Sequence, residues 1–142
     1  WIKKGEIRNT KDRYIGIQSI LKQCGEYGCH FLCLLSIIEE YTGKSVDLIS
    51  AIRVCQSKGW LHADFYVTDA LAILNHFTNK KWTRSELLKS IPDKVKDNQY
   101  TEIKWVRDKY THFTRRTIDT LINSQTVKLG KIAGYYIYTC EE

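Results

Sequence analysis

The stretch that decides the fold is Gln23-Cys-Gly-Glu-Tyr-Gly-Cys29-His-Phe-Leu-Cys33. Gly25 and Gly28 punctuate a tight loop. Beyond them the texture turns apolar. Phe31, Leu32, Cys33, Leu34, Leu35, Ile37 and Ile38 cover most of the circumference of a helix from Cys29 to about Tyr41. Such a helix belongs at the centre of a fold, buried on all sides. Gly43 supplies its C-terminal cap, and Glu39 and Glu40 fall near its exposed end. Cys29 therefore opens a buried helix, where unsatisfied N–H groups and about half a positive charge favour a thiolate.

Working outward, Tyr14 to Lys22 reads as an extended or short helical lead-in. After the central helix, Leu48, Ile49, Ile52 and Cys55 mark a second helix from about Val46 to Lys58, with Ser45 or Asp47 as cap. Ala70, Leu71, Ile73, Leu74 and Phe77 mark a third, from about Thr68. Thr83 and Glu86 suggest a capping box for a short fourth helical piece that ends before Pro92. Past Pro92, β-branched and aromatic residues dominate. Thr101–Val106, Tyr110–Arg115, Thr120–Asn123 and Gly134–Thr139 read as short strands, mostly antiparallel because the connections are too short for crossover helices. Helices first and strands second gives an α+β chain, a single domain over residues 1–142.

Composition narrows the classes. The chain has 142 residues, of which 43% are hydrophobic and 27% charged, so it is globular rather than disordered. The longest apolar run, Phe31 to Leu35, is far short of the ~20 residues of a membrane span. Five cysteines cannot all pair within one chain. An odd count with a reduced nucleophile among them fits a cytoplasmic setting. The net charge is +6 over the whole chain, and residues 80–131, with 13 basic and 6 acidic residues, carry +7 of it against the remainder's −1. That face offers a polyanion an attractive field, although no nucleic-acid motif accompanies it.

Gln23, six residues before Cys29, adds a side-chain N–H donor that, with the Cys29 amide, would stabilise an oxyanion. Together with Tyr27-Gly28-Cys29 and the apolar helix, this resembles the papain-like cysteine peptidase superfamily, most closely its compact bacteriocin-processing, double-glycine-cleaving branch. The resemblance covers roughly Ile15 to Tyr138. It implies a papain-like fold, a peptidase or amidase activity, no cofactor, and a His followed by an Asn or Asp on the later strands. His112 and Asn123 stand in that order. A two-residue turn at 117–118 or a four-residue loop at 116–119 pairs them directly, with Cβ atoms ~4.5–5.5 Å apart. Asn123 would then hold His112 in the tautomer that serves Cys29. Arg115, Arg116 and His30 depart from the family's pattern.

The expected site is thus Cys29, His112, Asn123 and Gln23, acting on a peptide or protein substrate through a thioester. Cys24 is a redox partner of Cys29 or core filler; Cys33 and Cys55 read as core, and Cys140 as semi-exposed. His30 points away from Cys29 on the helix, His62 is solvated, and His76 is a substitute base. No C-x-x-C pair exists for zinc, and no metal is expected. The runner-up reading is an inactive module of the same fold that binds a protein partner or polyanion through residues 80–131, including Arg115 and Arg116.

Overall fold

The computed structural model describes residues 10–92, 95–115 and 130–141, with side chains from Ser19 onward. Four helices precede most of a four-stranded sheet: α1 Thr10–Tyr27, α2 Cys29–Thr42, α3 Leu48–Ser57, α4 Ala70–Thr78, β1 Lys81–Arg84, β2 Gln99–Arg107, β3 Tyr110–Thr114 and β4 Lys131–Glu141. The sheet order is β1-β4-β2-β3, and every neighbouring pair is antiparallel. The chain is α+β, as its pattern indicates.

α2 is the central element. Every residue from Phe31 to Ile38 is buried, which follows from apolar side chains all round the helix. It packs against α1, α4 and β3. Gly43 ends it at φ 70°, a left-handed conformation that costs a glycine little, and its N–H bonds to the Glu39 carbonyl. α3 and α4 are capped by Asp47 and Asp69, whose carboxylates accept from the Ser50 and Ala72 amides.

Three expectations are corrected. Residues 14–22 are the helical alternative of the lead-in, but the helix is long, α1, and runs on through Gly25, where a loop is expected, to Tyr27. Gly28 alone then separates it from α2. The Gly28 N–H still bonds to the Cys24 carbonyl, so the chain turns without releasing its backbone partners. A Cβ at Gly28 would lie 2.6 Å from that carbonyl oxygen. Gly28→Ala is therefore expected to destabilise the fold by about 1–3 kcal/mol, read as a lower urea midpoint at unchanged slope.

The second correction is the piece from Thr83 to Ser90, which forms no helix. Trp82 is anchored from two sides: its backbone N–H donates to Asn75 Oδ1 at 2.8 Å and its indole N–H to Thr78 Oγ1 at 2.7 Å. With the ring buried, residues 81–84 pair with β4 as β1, and Leu88 bridges to Tyr135. Tertiary anchoring of one large side chain outweighs the local capping signal. Third, Cys140 is fully buried opposite Trp82. The strand expected at 120–123 lies outside the described residues, as does Asn123.

Two faces of the sheet matter for the site. Lys104 pairs with Phe113, and Trp105 pairs with His112. Successive strand residues alternate in direction. Tyr100, Glu102 and Lys104 of β2 therefore share a face with Thr111, Phe113 and Arg115, and this face meets α2. Contacts agree: Tyr100 meets Tyr41, Phe113 meets His30, and Arg115 meets Ser36. Trp105, His112 and Thr114 share the other face, where the Trp105 indole donates to Thr114 Oγ1.

Candidate active site

Cys29 is the first residue of α2 and is half-buried. It opens into a cavity of about 590 Å³ between α2, the 65–71 segment and the sheet face just described. His30, Arg84, Lys104, Phe113 and Tyr136 line the same cavity. The Cys29 sulfur is held by backbone N–H groups of His30 and Phe113, which pull its pKa down. Burial acts more strongly, and the nearby Glu102 charge adds to it, so the thiol titrates above its ordinary value. The helix start alone does not yield a resting thiolate, contrary to the expectation from position. A nucleophile at Cys29 needs a base that takes its proton during attack.

His30 lines the same cavity, and its ring is fixed from two sides. Its Nδ1 lies 2.7 Å from Glu102 Oε2. Its ring packs on Phe113 with centroids 4.4 Å apart. Cys29 and His30 thus meet the same residue of β3, one through the backbone N–H and one through the ring. A carboxylate only accepts, so Nδ1 carries a proton; in the neutral ring it is then Nε2 that holds the lone pair. Adjacent helical residues diverge, so Cys29 and His30 reach this cavity along different directions. The wide cavity at the helix start accommodates both.

Glu102 is completely buried and fully occupied. Besides His30, it accepts from the Tyr138 hydroxyl at 2.8 Å and from the Cys33 thiol. Burial, then the Glu102 charge, raises the Tyr138 and Cys33 pKa values, so both stay protonated donors. The signal that would have found this arrangement is in the spacing of α2. Cys29, Cys33, Ser36 and Glu40 recur at helical intervals and form a polar seam along the face that meets the sheet.

The expected site residues are distributed as follows. Cys29 is in the cavity. Gln23 is exposed on α1 and is not among the cavity-lining residues; Tyr27, at the end of the same helix, is. His112 is half-buried on β3, on the face opposite Phe113, and the cavity is lined by its neighbours Thr111 and Phe113. Asn123 lies outside the described residues. His76 is exposed and packs on Trp60. Among the described residues all five cysteines are free thiols, no cluster of three or more His, Cys, Asp or Glu side chains could hold a metal, and no helix is long and apolar enough to cross a membrane.

Comparison with protein families, with curated proteins and with solved structures gives no match for this chain. The geometry of the cavity is therefore the ground for a functional reading.

Proposed function

We propose that the chain is a cysteine hydrolase acting on an amide or related acyl bond, with Cys29 as nucleophile. The observation that supports this most is the meeting of Cys29 and the Glu102-bound His30 at one cavity. The Cys29 sulfur attacks the acyl carbon while its proton passes to His30 Nε2. The Cys29 amide at the start of α2 faces the developing oxyanion. His30 returns the proton to the leaving group, which departs and leaves a thioester. Water, deprotonated by His30, then releases the acid and restores the thiol. Glu102 holds the ring throughout and stabilises the imidazolium. This keeps the nucleophile that the papain-like resemblance implies and assigns the base to His30 in place of His112 and Asn123.

The test is acylation by p-nitrophenyl acetate, read as nitrophenol release and as an acetyl adduct located by mass spectrometry. The adduct is expected on Cys29 and absent in Cys29→Ala. His30→Gln should slow acylation by ~10²–10⁴-fold, while His112→Gln leaves it near the wild-type rate. Because burial raises the thiol, alkylation by iodoacetamide in the absence of substrate should climb with pH through a midpoint above the ordinary thiol range. An unmodified Cys29 overturns the hydrolase reading and leaves the binding module in its place. Loss of acylation in His112→Gln, with His30→Gln active, returns the base to His112.

A further inference from the structure

The Cys29 cavity carries two cations that the proposed acyl chemistry does not use. Arg84, at the end of β1, lies over the Tyr136 ring, 4.6 Å from its centroid. Its charge also favours the ionised Tyr138 phenol, against the larger opposing effect of burial. Lys104, half-buried on β2, shares the cavity wall. Neither forms an ion pair with a carboxylate among the described residues. The carboxylates near the cavity are already engaged. Asp69 caps α4 through the Ala72 amide, and Glu102 is taken by His30, Tyr138 and Cys33.

We propose that this cavity selects an acyl substrate bearing a carboxylate, such as an acidic side chain or a free peptide C-terminus, held between Arg84 and Lys104 beside Cys29. This rests on the reading of Cys29 as nucleophile. An oriented guanidinium favours a planar carboxylate, which it engages with two parallel N–H donors. Lys104 adds a point charge from the neighbouring strand. Lys104 is half-buried, so the cavity wall strengthens its attraction relative to an open surface, whereas the exposed Arg84 acts through its orientation on Tyr136.

Paired reagents of equal size and different charge test this. Iodoacetate and iodoacetamide alkylate the same sulfur, and the rate at Cys29 is followed by peptide mass spectrometry. The iodoacetate-to-iodoacetamide rate ratio at Cys29 is expected to exceed that of a Cys29-containing peptide by roughly tenfold. It should fall toward the peptide value in Arg84→Gln/Lys104→Gln and decline with added salt. Arg84→Lys should keep part of the preference. A ratio equal to the peptide's, or one that survives the double substitution, overturns the proposal while leaving the hydrolase reading intact. If neither reagent modifies Cys29, the nucleophile reading fails. Charge selection is then read on Cys29→Ala by NMR, comparing N-acetylglutamate with N-acetylglutamine. Shifts at Lys104 and Phe113 with the acid alone sustain the anion site, and equal or absent shifts overturn it.

Discussion

With Cys29 as the proposed nucleophile, Glu102→Gln is expected to leave the protein folded and to suppress most of the acylation of Cys29. Besides the Cys33 thiol, two groups bond to this carboxylate as donors, one to each oxygen: His30 Nδ1 to Oε2 and the Tyr138 hydroxyl to Oε1. A carboxylate accepts from both. An amide offers one acceptor oxygen and an NH₂ group that donates. If the oxygen keeps Tyr138, the NH₂ faces His30 Nδ1, which must then accept. The ring proton moves to Nε2, the atom assigned to receive the Cys29 proton, and the base is lost in its wrong tautomer. A loss of ~10²–10⁴-fold in the rate of Cys29 acylation follows. Urea unfolding should show a much smaller change for this variant than for Glu102→Ala. The alanine variant leaves Tyr138 and Cys33 as buried donors without their acceptor and empties the volume of the side chain. Its expected cost is about 3–5 kcal/mol. Acylation of Glu102→Gln at the wild-type rate would show that Glu102 supports the fold without setting the tautomer of His30.

The fold was legible where one residue pattern dominated its surroundings. α2 is buried all round because its sequence is apolar all round, and its start at Cys29 and end at Gly43 are set by two glycines with different tasks. The strands at 99–107, 110–114 and 131–141 also follow the β-branched and aromatic run that announces them. Residues 81–84 were not legible as a strand, because the decisive interactions come from Asn75, Thr78 and Cys140, which local propensity does not weigh. The site was legible in half. Cys29 stands out by position. Glu102 does not, since a glutamate alternating along a strand reads as solvated until its partners from α2 and β4 are in place. Gly25 looked like a loop residue and is helical. That shift removed Gln23 from the neighbourhood that spacing alone suggested.

Arg115 changes meaning most between sequence and structure, and its substitution carries the second large effect. In the sequence it belongs to a basic segment that offers itself to a polyanion. In the fold its side chain is 3% exposed. Its Nε donates to the Thr101 carbonyl at 3.1 Å, and one terminal nitrogen donates to Ser36 Oγ at 3.0 Å and Glu40 Oε2 at 2.7 Å. The guanidinium therefore ties the end of β3 and the start of β2 to the polar seam of α2, about two and three turns beyond Cys29. Arg115→Ala is expected to destabilise the fold by about 3 kcal/mol, because it strands the Thr101 carbonyl and the Ser36 hydroxyl in the interior. Glu40→Ala should cost less, since that carboxylate is 44% exposed and only one hydrogen bond is lost. Arg115→Glu should fail to fold, placing a like charge against Glu40 in a buried seam. Urea midpoints order the three variants. The consequence for any polyanion assay is direct: loss of binding on charge reversal at Arg115 would report unfolding, whereas reversal at the exposed Arg107 and Lys109 of the β2–β3 turn tests the surface itself. If Arg115→Ala instead unfolds at the wild-type midpoint, the seam contributes nothing to holding β3 on α2, and the placement of Phe113 beside Cys29 must rest on apolar packing alone.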